Sequence, residues 1–420
     1  MSPRSRRTFL QIGGLALGGL LAGCTNDTGS STPPVTEPSV TEPEQFPPPE
    51  PTPGTPQDPR SMPTATDWTR FQADNGNTGH LSDVTAVPED PEIYWDFYVS
   101  SSPPVVADRS LYTTEYREER SVVARNAATG ELQWTTAVDG GGMGMPAVAS
   151  DEVLVQSYTR LSGFDRQSGD KLWKRTIGQG PPGCPVVVDG VAYLANGAFN
   201  EWSTEVFAFD VSTGEQQWRT TLADDDSDLE GSVAVNDGYV FIVAGDIIAF
   251  NTTDGSEVWR TQLDSPAETT PTVSDGKVYV TDSEGTLHAV RTEDGSERWT
   301  ADVGEPESGT AVAVADDEVY AGTKSRLSSL TTTGELRWEV DLTDALTPTV
   351  DTDAVYVGQS GFRNRAVYAL ARDDGSERWV HNTDEEQISD TVQAGVRGPP
   401  TLVEDGLYVV AADGMRAFGR

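Results

Sequence analysis

The chain has 420 residues and carries 67 acidic against 29 basic side chains, a formal charge of −38. A charge of that sign and size repels polyanions, which excludes nucleic acid and anionic lipid surfaces as direct partners. It also self-repels unless concentrated salt screens it.

In chain order, the first element is an address. Ser5-Arg6-Arg7-Thr8-Phe9-Leu10 resembles a twin-arginine export signal, with Arg6 and Arg7 as its defining pair. The apolar run that follows, Leu10 to Gly23, has 14 residues, too few to span a bilayer. It ends in Leu21-Ala22-Gly23-Cys24, which resembles a lipobox and implies a diacylglycerol on the Cys24 thiol. Residues 1–23 are thus expected to be a removed signal peptide. Loss of Arg4, Arg6 and Arg7 takes the charge to −41, and the lipid holds the protein on the outer face of the cell membrane.

Residues 24–66 follow as a tether. Thr25 to Thr66 holds 12 prolines among Thr, Ser and Glu and almost no large apolar side chain, so it has nothing to build a core from. Fully extended at about 3.1 Å per residue, it reaches on the order of 130 Å.

Residues 67–420 form the folded domain, which opens with Trp68-Thr-Arg-Phe71 and runs through an amide- and glycine-rich stretch to Gly79. From there one motif is written seven times: Gly, usually an acid, two variable residues, then Trp, ending at Trp134, Trp173, Trp218, Trp259, Trp299, Trp338 and Trp379. The spacings are 39, 45, 41, 40, 39 and 41 residues, and Trp95 stands a further 39 upstream without the preceding turn. A period of this size marks a repeat architecture. The fifth unit shows the strands: Pro271 to Ser274, Lys277 to Thr281, Thr286 to Val290 and Glu297 to Ala301, parted by Asp275-Gly276, Ser283-Glu-Gly and Asp294-Gly295. Ile93 to Val99 matches only a fourth strand, and Pro400 to Gly419 only the first three. The two chain ends are therefore expected to complete one blade between them, giving an all-β, eight-bladed β-propeller of four-stranded blades.

A small residue keeps step with the Trp, ten positions before it in most units: Ala124, Gly163, Ala208, Ala249, Ala289, Ser329 and Ala369, with Ala417 at the matching place near the C-terminus. An indole buries its area only where something small faces it, so the pairing reads as a device that docks blade on blade. The combination of small residue, Thr-Gly or Asp-Gly turn and Trp resembles the tryptophan-docking repeat of the PQQ-repeat, quinoprotein-like propellers. That family holds both quinoprotein alcohol dehydrogenases and BamB-like lipoproteins, and the resemblance covers about Trp68 to Arg420. The acid excess, with four lysines against 25 arginines, resembles proteins of extreme halophiles and points to an archaeon.

Chemistry is sparse. With Cys24 lipidated, Cys184 is left alone, and beside Pro185 it reads as buried packing. The family's dehydrogenases carry a vicinal Cys pair facing the quinone and Glu/Asn calcium ligands, and no matching residues stand here, so no catalytic residue, cofactor or metal ligand is assigned. His80, His288 and His381 are scattered, and Asp224 to Asp228 reads as solvated acids rather than a calcium loop.

In a four-stranded meander the first-to-second and third-to-fourth turns share one face, and here they are short and uniform. The other face has the irregular loops, where function on repeat scaffolds concentrates. Its candidate binding residues are Phe199 and Trp202 in the loop that stretches the third repeat, and Phe362, Arg363 and Arg365 in the seventh. The sequence is read as a non-catalytic, membrane-anchored scaffold that binds a protein or cell-surface ligand. An exported quinone-dependent oxidoreductase and a carbohydrate- or cell-wall-binding module are the alternatives. Cys24→Ser is expected to shift the protein from washed membranes to the medium, and the Arg6→Lys, Arg7→Lys pair to block export; fractionation followed by immunoblotting measures both.

Overall fold

The computed structural model describes residues 66–419, apart from 83, 85–86, 88–90, 117–118, 198–202, 223–228, 362–364, 385, 389–390 and 394. No helix occurs among the described residues. Eight antiparallel four-stranded sheets form an eight-bladed β-propeller, with blades 1 to 7 at residues 105–137, 147–176, 186–221, 234–261, 272–302, 313–341 and 349–382. Blade 8 takes Thr401–Val403, Gly406–Ala411 and Gly414–Gly419 from the end of the chain and Glu92–Phe97 from its beginning as the outermost strand. Trp95 lies opposite Ala417 in that pairing, so the two ends close the ring as the repeat count requires. Two short additions depart from four strands per blade. Ser100–Ser101 adds to the second strand of blade 1, and a hairpin of Glu386–Ile388 with Thr391–Gln393 lies between blades 7 and 8.

Burial explains the residue choice. Second and third strands are pressed between neighbouring blades, so runs such as Tyr239–Ala244 are apolar on both faces, whereas an outermost strand such as Glu297–Asp302 alternates exposed and half-buried positions. The outer edges carry Lys174, Arg219, Arg260, Arg298, Arg337 and Arg378. Charge there discourages further strands from adding to a free edge.

The docking geometry corrects one expectation. Across the second, third and fourth strands an aromatic, a small residue and the Trp stand in one row of the same blade: Tyr112, Ala124, Trp134; Tyr193, Ala208, Trp218; Tyr279, Ala289, Trp299. The small residue therefore faces the indole of its own blade. It lets the indole of its own blade lie down until it reaches the second-strand aromatic, with ring centroids 5.9 Å apart for Tyr279 and Trp299.

The next blade contributes the motif glycine. A Cβ at Gly295 would stand 2.6 Å from the Trp259 ring, and the same holds for Gly169 on Trp134, Gly214 on Trp173, Gly255 on Trp218, Gly334 on Trp299 and Gly375 on Trp338. The indole N–H then donates to a carbonyl in the same turn, as from Trp259 Nε1 to Thr292 O at 2.8 Å and from Trp173 Nε1 to Val211 O at 2.8 Å. Trp95, Trp134, Trp218, Trp299 and Trp338 donate to the equivalent carbonyls of Ala127, Arg166, Thr252, Thr332 and Arg372. Among the described residues Trp379 Nε1 alone has no such acceptor, and its ring stacks instead on Phe418 of blade 8, centroids 6.1 Å apart.

Two glycines of blade 5 separate docking from turn chemistry. Gly276 and Gly295 both have φ of 68°, but the nearest atom to a Cβ at Gly276 is 3.9 Å away. An alanine costs each turn about 1 kcal/mol of backbone strain. Gly295→Ala must also push the Trp259 ring aside, and is expected to lose about 1–3 kcal/mol more than Gly276→Ala in chemical unfolding.

Candidate binding face and axis

The axis is occupied by the chain itself. Residues 66–81 run past the innermost strands of seven blades in turn, beginning with the mutual backbone bonds of Trp68 and Val106 in blade 1. The carbonyls of Thr69, Asn75, Gly76, Thr78 and Gly79 then accept from the amides of Val148, Val235, Val273, Val314 and Val350 in blades 2, 4, 5, 6 and 7, while the Arg70 guanidinium donates to Val187 O of blade 3 at 2.6 Å. Side-chain amides complete the plug: Gln72 Nε2 reaches Pro348 O, and Asn77 Nδ2 reaches both Val233 O and Pro271 O, each at 3.0 Å. Asp74 folds the segment back on itself by accepting from the amides of Gly76 and Thr78 and from the Thr78 hydroxyl. Burial pushes its carboxyl above the ordinary range despite those bonds. Sequence reasoning placed this stretch ahead of the first blade and missed its course through the centre. Its signal is a run of short amide and glycine residues, able to serve strand edges without bulk.

Phe71 fills the middle of the axis, packed with Ala147 of blade 2, Cys184 and Val187 of blade 3 and Ala311 beside blade 6. The Cys184 Sγ accepts from Phe71 N at 3.4 Å, and burial pushes its thiol to about 11. A thiol held neutral in this way is a packing group. A PQQ-type quinone does not fit the axis at this level, because Phe71 and the inner-strand bonds of residues 68–80 take up the space and the donors. Among the described residues no three His, Cys, Asp or Glu side chains are grouped to hold a metal ion.

The face of short turns carries a ring of acids. Asp108, Asp189, Asp237, Asp275, Asp316 and Asp405 stand at positive φ in the first turns of their blades, around the point where the plug enters. A groove of about 690 Å³ opens there between blades 2 and 3, lined by Asp67, Asp151, Glu152, Asp189 and Asp210 with Arg70 and Arg166. Burial, then the neighbouring Asp151 and Asp210, push the Glu152 carboxyl up.

The opposite face holds the irregular loops. Phe199, Trp202, Phe362 and Arg363 lie outside the described residues, as do Asp224 to Asp228 and the segment with Arg6, Arg7 and Cys24. Arg365 is described, and its guanidinium is engaged in shaping its own loop: Nε donates to Thr383 O at 3.0 Å, while Thr383 N donates to Arg365 O at 2.9 Å. The structure adds three exposed rings that sequence reasoning passed over, Tyr98, Tyr116 and Tyr158, at 50%, 39% and 40% exposure. Each sits at a strand end, where the sequence pattern alone reads as an ordinary strand aromatic.

Several buried charges elsewhere are paired within blades or between neighbours. Glu318 receives Arg372 at 2.8 Å and Arg337 at 2.8 Å across blades 6 and 7, and Glu115 pairs with Arg125 at 3.0 Å beneath Phe97. His288 Nε2 lies 3.0 Å from Asp282 Oδ2. The ion pairs join strands and blades.

Fold and site together define a tryptophan-docked, eight-bladed PQQ-repeat propeller whose axis is plugged by its own N-terminal segment. The chain belongs to the family described as outer membrane protein assembly factor BamB, whose profile matches residues 69–245, 203–347 and 324–418. It is 33% identical over 228 residues to the outer membrane protein assembly factor BamB of Salmonella typhimurium, a match over 48% of this chain that spans only 55% of the relative. The crystal structure of BamB from Moraxella catarrhalis superposes with a TM-score of 0.62 at 16% identity, covering 79% of this chain and all of that one. The quinohemoprotein alcohol dehydrogenase of Comamonas testosteroni superposes at 0.70 with 14% identity, over 85% of this chain and 81% of the other, a likeness of fold.

Phe71→Ala is expected to leave a cavity beside Cys184 and to cost about 3–5 kcal/mol in chemical unfolding. Labelling of Cys184 by an aromatic disulfide reagent should be negligible in the native protein at neutral pH and measurably faster in the variant; equal rates would mean that the thiol opens by another route.

Proposed function

We propose that the protein is an extracytoplasmic, membrane-tethered scaffold that binds a partner protein through its loop face and carries out no chemistry. The observation that carries this reading is the plugged axis. Where a propeller enzyme needs a central cofactor or substrate site, this chain has placed Phe71 and a ladder of its own hydrogen bonds. Membership of the BamB family supports the scaffold role and an extracytoplasmic, membrane-associated location. The matched span of the Salmonella protein supports the general role and not its particular partners. The twin-arginine and lipobox pattern supports anchorage at Cys24, and the charge of −38 supports work in concentrated salt, as in a halophilic archaeon.

The likeness to a quinohemoprotein supports the oxidoreductase alternative at the level of fold. The contents of the axis speak against it. Purified protein given PQQ and calcium is expected to show no bound-quinone spectrum and no dye-linked alcohol oxidation. Affinity capture from native membranes in high salt is expected to recover a partner protein, and Trp202→Ala with Arg363→Ala to weaken that capture while the melting temperature stays nearly constant. Stoichiometric quinone uptake with turnover would overturn the scaffold reading. Unaltered capture by the double variant would leave it standing and move the contact elsewhere on the face.

A further inference from the structure

The chain's acids are not spread evenly. From 140 to 188 there are four, Asp151, Glu152, Asp165 and Asp170, against five bases, Arg160, Arg166, Lys171, Lys174 and Arg175, in a protein of net charge −38. All four acids sit at or next to the short turns of the acidic face, between the strands of blade 2. On the loop-face side of that blade the neighbouring acid is Asp139, which already faces Lys171 and Lys174, each at 3.3 Å. In blade 2 itself bases thus match acids, although Glu118 and Glu119 precede Arg120 in sequence.

The exposed rings gather in the same sector. Tyr158 N donates to Gly142 O at 3.0 Å, and the hydroxyl of Tyr116 accepts from Met143 N at 2.8 Å, so the two rings flank one glycine-rich loop. Ser100, two residues after Tyr98, pairs with Tyr116 in the sheet of blade 1. The three tyrosines thus follow one another from blade 8 across blade 1 to blade 2. Arg120 lies over the Tyr116 ring at 6.0 Å, and Arg160 packs its stem over Gly140. Neither arginine has an ion pair among the described residues, although acids outnumber bases by more than two to one. Gly140 and Gly141, at φ of 108° and 99°, let the Tyr158 ring and the Arg160 stem close over the loop.

We infer that this sector, Tyr98, Tyr116 and Tyr158 with Arg120 and Arg160, is a docking surface for an extended acidic segment of a partner protein. The inference rests on the scaffold reading and specifies its site. A row of rings over three blades suits a chain laid across them, and guanidinium groups without an ion pair among the described residues suit carboxylates. Net repulsion between two acidic proteins is long-ranged and falls away in concentrated salt, while contact pairing and ring stacking act at short range. Such a segment can therefore be recognised under conditions that silence the rest of the surface.

The test uses the whole mature chain in concentrated NaCl and a short fluorescein-labelled peptide in which Glu alternates with Ser and Pro, followed by anisotropy. Saturable binding is expected, weakened about tenfold when Gln replaces Glu in the peptide and about tenfold in the Arg120→Glu, Arg160→Glu protein. Tyr158→Ala should weaken it as well and Tyr158→Phe should not, which separates loss of the ring from loss of the loop. No saturable binding, equal affinity for the Gln peptide, or an unaffected arginine variant overturns the proposal. Concentration-dependent self-association that disappears in the arginine variant also overturns it, in favour of a second copy. Capture of a native partner by wild type and arginine variant alike sinks this site and leaves the scaffold reading intact; failure of wild-type capture sinks the scaffold reading itself.

Discussion

One interaction sets the terms for the rest of the molecule: an indole wedged between two blades, with its N–H committed to the neighbour's turn. On its own side the ring lies over a small residue against an aromatic of the second strand. On the other side it meets a glycine that has no Cβ to hold it off. Burying a ring of this size contributes about 2–3 kcal/mol, and the hydrogen bond about 1 more. Repeated around the circle, the wedge fixes the spacing between blades. Variation is thereby pushed into the loops beyond the strand ends, where it does not disturb the ring.

The junction between blades 7 and 8 shows what happens when the motif is interrupted. Blade 8 is assembled from both ends of the chain, so the turn that would supply the glycine and the carbonyl is not a turn there. Trp379 is left stacking on Phe418, with its indole nitrogen buried and unpaired among the described residues. A buried donor without an acceptor costs about 1–3 kcal/mol. The ring tolerates that cost at the joint where topology leaves no alternative, and the paired strands of Glu92–Phe97 and Gly414–Gly419 hold it shut.

Much of this was legible in the residues. The Trp period required blades, and the unmatched strands at either end required closure. The second role of the motif glycine was also visible. First-to-second turns accept Asp108-Arg109 or Asp316-Asp317, whereas every third-to-fourth turn before a Trp keeps its Gly, a strictness that turn geometry alone does not demand. The small residue before the Trp was legible as a partner of the ring, but one sequence cannot say whether the pair lies within a blade or between blades. The plug was not legible, since its bonds run from an irregular segment to strands up to 276 residues away and leave no period. The exposed tyrosines were hidden for a related reason: an aromatic at a strand end has the same pattern whether its ring turns inward or out.

The course of residues 66–81 has a mechanical consequence. The chain leaves the propeller from its axis, so tension on the preceding segment is delivered to the hub and not to the rim. The first bonds to feel it are those between Trp68 and Val106, backed by a Trp68 side chain that is 1% exposed and set among the core residues of the seam. Behind them stand contacts to six further blades, engaged one after another along the same thread. A load that would peel a blade from its neighbour if applied at an outer strand must here pull a segment held by successive hydrogen bonds out of the centre before any indole wedge is strained. A propeller pulled in this way would keep the loop ends of its blades undistorted.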